Sequence, residues 1–280
     1  MRVGLLPSKS GGSYTLVVLL LACVGILVCA LPVLVVTIMS FSSSEYAGFP
    51  PESFSLRWYQ EVGRLFFVDD ASSAQSVSTA TLTSITVAML VMGISALVCV
   101  PLAYALVRSG RRVREGMELL FTLPLVFPLV ILGIAFLLMA ESINLEIGIW
   151  RIVIPHLAIV LPFVLRNCLG SMNSIHVEFE EAAISLGATP VRAFRDIVIP
   201  LMKPGVLSGL IFALIISFNE FTITFFMYTI DLSTLPIWMY SRTASSLDPA
   251  TLAISVAIIV FDLVLILFVD KLVSGRTSIF

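Results

Sequence analysis

Residues Tyr14–Met39 read YTLVVLLLACVGILVCALPVLVVTIM, 26 consecutive positions without a charged side chain. The run is longer than the roughly 7 to 15 apolar residues of a signal-peptide core, so it is read as a retained span of a lipid bilayer. The whole chain agrees: of 280 residues 59% are hydrophobic and 12% charged, and the mean hydropathy is +1.07, outside the range of water-soluble domains. In hydrocarbon an unpaired backbone amide or carbonyl costs several kcal/mol, which leaves helices or closed barrels as spanning structures. Long unbroken apolar runs select helices.

Further runs follow at about 80–107, 117–140, 150–168, 204–227 and 250–268. With the first at 14–39 they make six expected spans in one transmembrane domain covering 1–280, an all-α polytopic fold. The stretch from Ser40 to about Thr79 is polar and acidic, with Glu45, Glu52, Glu61, Asp69 and Asp70, and reads as a first external loop. Pro101, Pro124, Pro128, Pro155 and Pro162 lie inside expected spans, where neighbouring groups can satisfy the carbonyls that proline frees.

Orientation follows from the basic residues, because positively charged loops stay cytoplasmic. With both termini inside, Arg2, Lys9, Arg108, Arg111, Arg112, Arg114, Arg166, Arg192, Arg195, Lys203, Lys271 and Arg276 are cytoplasmic, and Arg57, Arg64, Arg151 and Arg242 are external. Trp58, Trp150 and Trp238 then fall near the external interface, which suits indole rings. The net charge of −2, without any basic block, excludes a nucleic-acid partner. Cys23, Cys29, Cys99 and Cys168 sit in or beside apolar runs without C-x-x-C spacing and read as small hydrophobes.

The segment 170–203 is cytoplasmic in this scheme. Within it Ile175, Phe179, Ala182, Ala183 and Leu186 recur at the spacing of one helical face. Gly187 suits the left-handed position that ends a helix, and Thr189-Pro190 pairs a cap with a first-turn proline to begin another. The second apolar face, Val191, Phe194, Ile197 and Leu201, is expected to break at Pro200 and Pro204. Ala182 and Ala183 let a foreign surface approach closely, Glu180 and Glu181 offer carboxylates to a partner's Arg or Lys, and Gly187 sets the angle of presentation. A helix lying on anionic headgroups would instead carry basic residues; Glu178, Glu180 and Glu181 oppose that reading.

Glu181-Ala182-Ala183 followed by Gly187, then Ile197 and Pro200, resembles the cytoplasmic signature of permeases in ATP-binding-cassette importers. The resemblance extends from Ser42 through the sixth span. It implies a type I importer permease (MetI-like) fold in a bacterial inner membrane. The implied partners are two ATPase subunits that receive the short helix in a groove, a second permease chain, homologous but not identical, and a periplasmic solute-binding protein. Membrane lipid surrounds the spans. Ser217-Phe-Asn-Glu-Phe and Thr234-Leu-Pro-Ile-Trp-Met look like the spermidine and putrescine branch, so a polyamine is the expected solute, with an aminoalkylphosphonate or ferric iron as alternatives. In that branch two acids often follow the Ser-Phe pair; here Asn219 replaces the first.

In the fifth span Gly205, Gly209, Ala213 and Ser217 recur every four residues, a stripe that admits another helix close to the backbone. At 100° per residue Glu220 falls in the same arc and faces protein. A deep carboxylate is either part of a solute route, with Phe218, Asn219 and Phe221 as companions, or a buried partner for a neighbouring helix. Asp262, in the sixth span, reads as a structural partner. No cofactor, metal or catalytic centre is expected: His156 and His176 lie at opposite ends of the chain's membrane topology, and no Gly-x-x-x-x-Gly-Lys-Ser/Thr phosphate loop occurs. Glu180-Glu181 lacks the following Arg of membrane-embedded proteases, because Ser185 stands there. A stand-alone secondary transporter would share the spans and the deep acid, yet would have no use for the loop.

Overall fold

The structure is a computed structural model that describes residues 11–45, 48–67, 76–143, 148–245 and 249–274. The expected cytoplasmic termini, with Arg2, Lys9 and Arg276, lie outside the described residues, as do Asp69 and Asp70. The described chain is helical: α1 Gly11–Ser40, α2 Arg57–Phe67, α3 Val77–Arg108, α4 Arg111–Thr122, α5 Leu129–Ser142, α6 Trp150–Asn173, α7 Glu178–Ser185, α8 Pro190–Ala193, α9 Ile199–Phe218, α10 Thr224–Met227, α11 Leu235–Ser245 and α12 Pro249–Ser274. Among the described residues five helices are long and apolar enough to cross a bilayer, giving up to six spans if α4 and α5 count as one bent span.

Two compact units are distinguished, Met1–Gly63 with Ser246–Ile258, and Arg64–Ser245 with Ile259–Phe280. In the first, Tyr59 ties the loop to the end of α1, its hydroxyl 2.8 Å from Ser40 Oγ and its ring 5.0 Å from that of Phe41. Trp58 packs with Ala250 and Ala253. Along α1 the side chains from Tyr14 to Leu34 are almost all exposed.

The second unit is built on α3, α6 and α9, which pack side by side. Its core combines Val87, Val91 and Cys99 of α3, Ile159, Val164 and Met172 of α6, and Met202 and Ala213 of α9. The small-residue stripe explains how α9 reaches α6. A Cβ on Gly205 would stand 2.5 Å from Ser171 Cβ, and one on Gly209 3.0 Å from Asn167 Cβ. Only hydrogen fits at Gly205, which sets the helix separation by backbone approach.

Three boundaries differ from expectation. The third apolar run is not one straight helix: α4 ends in a 3-10 turn, Leu123–Val126, and turns 97° into α5. Pro124 and Pro128 cannot donate to the preceding turn, and two prolines so close leave no register in which the helix continues. The fifth run does not reach Met227 as a helix, because α9 stops at Phe218. Conversely, Pro200 and Pro204 do not break the second loop helix. Residues Phe194–Val198 form a π-turn in which the Ile199 amide reaches back to Phe194 carbonyl, and the helix runs on from Pro190 to Phe218. Widening the coil just before Pro200 makes room for the ring that would otherwise meet a carbonyl.

Candidate functional site

The loop after α6 folds as its sequence dictates. Gly187 has φ +93, its amide bonds to Ile184 carbonyl at 2.9 Å and the Ala188 amide to Ala183 carbonyl at 3.0 Å, the paired bonds of a Schellman close. Thr189 then caps α8, accepting from the Arg192 amide at 3.3 Å. Helix α7 is thereby held as a separate, angled segment at the end of α6.

Among the described residues most of its apolar face stays open. Ile175 is buried, whereas Phe179 and Ile184 are exposed, Leu186 is 90% exposed, and Val191 beyond it 77%. Glu181 and Ala182 are also exposed and Ala183 half-buried. The buried member is Glu180. Its carboxylate accepts from Arg108 Nη2 at 2.7 Å and from the Tyr104 hydroxyl, both on α3, and Tyr104 rests on Phe194 with ring centroids 4.7 Å apart. The expectation that Glu180 offers its carboxylate to a partner is corrected by this geometry: the charge is spent on α3. Arg108 and Tyr104 were missed as site residues because their tie to Glu180 spans more than 70 positions of sequence, and no local pattern announces it. Pro200 is exposed on the first turn of α9.

At the other end of α9 the four expected pathway residues separate into two environments. Glu220 is buried; Oε1 accepts from the Ile223 amide at 2.8 Å, and Oε2 from the Thr224 amide at 3.0 Å and the Thr224 hydroxyl at 2.9 Å. The carboxylate thus closes the N-terminus of α10, where free amides and the helix dipole favour negative charge. His156 on α6 completes the cluster: Nε2 lies 2.8 Å from Thr224 Oγ1 and 3.5 Å from Glu220 Oε2, and Nδ1 2.9 Å from Ser217 Oγ. An ionised Glu220 only accepts, so Thr224 gives it the hydroxyl proton and accepts in turn from Nε2–H of His156. Phe218 is buried beside Phe261, 5.6 Å between centroids.

Asn219 and Phe221 lie differently. Asn219 is exposed and donates to Asp262 Oδ2 at 2.8 Å. Phe221 is half-buried in an aromatic group with Phe225 and Tyr240, at 5.6 and 5.2 Å. The sequence places His156 at one end of an expected span; the signal that it joins the cluster is a polar ring within an apolar run. Among the described residues no group of three metal-ligating side chains comes together.

Residues 95–277 match the family of binding-protein-dependent transport system inner membrane components. The chain belongs to this family. It is therefore a multi-pass permease subunit of the bacterial inner membrane. The permease is similar to the spermidine/putrescine transport system permease protein PotC of Haemophilus influenzae, 25% identical over 89% of this chain and 92% of that one. It is 30% identical to the putrescine transport system permease protein PotI of Escherichia coli, over 81% and 80%. A putative 2-aminoethylphosphonate transport system permease protein, PhnV of Salmonella typhimurium, is 25% identical over 85% and 87%. Among solved structures, a bacterial ABC transporter involved in the import of the polysaccharide alginate matches with a TM-score of 0.64 and 21% identity over 98% of the permease and all of that chain. The MetNI methionine ABC transporter matches at 0.57 and 16%, over 71% and 95%. The fold is that of ABC importer permeases.

Proposed function

We propose that this permease carries a polyamine of the spermidine or putrescine type inward, paired with a second, non-identical permease, driven by two separate ATPase subunits and supplied by a periplasmic solute-binding protein. The observation that carries the reading is the similarity to two polyamine permeases over at least four fifths of the chain. Coupling runs through α7. Glu181, Ala182 and Ala183 with the exposed apolar side chains around them enter the ATPase groove, Gly187 sets the angle, Pro200 braces the start of α9, and Glu180 transmits the movement by gripping Arg108 of α3. At the far end of α9, Asn219 and Phe221 line the solute route, where ring faces attract an ammonium group. Phe218 and Glu220 shape that route from behind.

Uptake of labelled spermidine and putrescine is the test, in cells lacking the gene and in the same cells carrying it back. Polyamine uptake lost with the gene and restored with it is the expected result. If both polyamines enter unchanged while 2-aminoethylphosphonate uptake is lost, the solute belongs to the aminoalkylphosphonate class, the reading favoured by the likeness to PhnV.

A further inference from the structure

Arg166 lies seven residues before the end of α6, about 10 Å inside the helix terminus at 1.5 Å per residue. A guanidinium at that depth in an apolar helix is costly unless something answers its charge. Among the described residues no hydrogen bond or ion pair does so, and Arg166 is exposed. It lines a cavity of about 220 Å³ between α4 and α6, together with Arg114, Glu118, Thr122 and Asn173, and with Phe121 and Leu165 as apolar wall.

The second arginine is already oriented. Arg114 Nε donates to Glu118 Oε1 at 2.7 Å and Nη1 to Asn173 Oδ1 at 2.9 Å, which fixes the guanidinium plane and leaves Nη2 unspent. Two arginines and one glutamate give the cavity one net positive charge. Beside it on α4, Leu119 and Leu120 are exposed, so the cavity adjoins a surface suited to hydrocarbon. Arg108 and Asn173 both lie at the α7 end of their helices, which puts the cavity at the depth where the inner leaflet's headgroups begin.

We propose that this cavity binds a monoanionic phosphodiester, held by Arg166 and Arg114, and that its source is the headgroup of an anionic phospholipid of the cytoplasmic leaflet. The planar fork of arginine matches two phosphate oxygens, as a point charge would not. One net positive charge suits a phosphodiester better than a free phosphate dianion. The apolar wall and the exposed leucines accept the glycerol and the first acyl methylenes. Basic pockets between spans on this face suit lipid headgroups on general electrostatic grounds. The site is independent of which solute the permease carries.

Native mass spectrometry of the full-length permease tests it, with phosphatidylglycerol, phosphatidylcholine or inorganic phosphate added to the detergent solution. The wild type is expected to retain phosphatidylglycerol over phosphatidylcholine. Arg166→Gln should weaken that retention about tenfold, Glu118→Gln should strengthen it, and Arg112→Gln, exposed on α4 away from the cavity, should leave it unchanged. Equal retention of both lipids overturns the proposal, as does wild-type retention by Arg166→Gln. Should Arg166→Gln prove unstable, the Glu118→Gln result decides: weaker or unaltered binding overturns the site. Displacement of phosphatidylglycerol by millimolar inorganic phosphate overturns the lipid and assigns the cavity to a soluble anion.

Discussion

The resemblance to the polyamine branch leads one to expect an acid where Asn219 stands, and the partner of Asn219 bears on the exchange. Its amide donates to Asp262 Oδ2 at 2.8 Å; a carboxylate in its place would face Asp262 with like charge at hydrogen-bond distance. Asn219→Asp is therefore expected to destabilise the permease by about 2–3 kcal/mol, unless one acid takes up a proton. The double exchange Asn219→Asp with Asp262→Asn restores the pair and should restore the melting temperature in detergent; a double mutant as unstable as the single would remove the explanation. Glu220 is tested in the same way. Glu220→Gln keeps one acceptor for the α10 amides and should be mild, whereas Glu220→Ala strands two buried N–H groups at about 1–3 kcal/mol each. If Glu220→Ala melts like wild type while uptake fails, Glu220 touches solute and is no cap. Sequence alone left these roles open for a physical reason. Glu220 was legible as facing protein from helical phase, but whether it met solute or a helix depended on α9 stopping at Phe218, which folds Ile223 and Thr224 back onto it.

The short helix α7 shows the same division at the scale of an element. Its ends were legible because capping is local: Gly187 and Thr189 satisfy backbone groups within a few residues of themselves. Its orientation was not, because the tie of Glu180 to Arg108 joins segments far apart in the chain, and a helical wheel counts a glutamate as outward by default. This tie makes α7 and α3 one mechanical piece. Glu180→Gln should let the permease insert and still meet its ATPase, yet reduce solute-stimulated ATP hydrolysis several-fold, since a neutral amide holds Arg108 less strongly. Glu181→Lys, on the exposed side, should instead abolish copurification of the ATPase. Equal loss of assembly in both would mean that Glu180 supports docking alone. Gly187→Ala should cost about 1–2 kcal/mol at φ +93 and lower coupling by altering the angle of α7, measurable as hydrolysis without transport. The π-turn before Pro200 was likewise beyond periodicity, because two prolines in sequence signal a break and only packing shows where the extra residue is accommodated.

Whether the whole chain crosses the bilayer five times or six depends on the bent pair α4 and α5, which the apolar run at 117–140 could not resolve by composition. The contact between Arg108 and Glu180 supports six by parity, given that α6 crosses. Arg108 ends α3 and Glu180 belongs to α7, so the end of α3 and α7 share one face of the membrane. Arg114 of α4 meets Asn173 at the end of α6 on that same face. Helix α6 has 24 residues, about 36 Å at 1.5 Å per residue, enough to cross, so its start at Trp150 lies on the opposite face. On that premise the chain leaves α3 on one face and enters α6 on the other, and α4 and α5 are expected to cross between them, despite the 97° bend. By the predominance of basic residues, the Arg108 face is the expected cytoplasmic one. Single cysteines, introduced after replacing Cys23, Cys29, Cys99 and Cys168 with alanine, test this in intact spheroplasts with a membrane-impermeant maleimide. Ser142→Cys at the end of α5 should label at once, whereas Arg112→Cys on α4 and Leu186→Cys beside α7 should label only after lysis. Labelling of Ser142→Cys and Arg112→Cys from the same side would make the pair a re-entrant loop, and would require the Arg108 to Glu180 contact to be absent from the membrane-embedded permease.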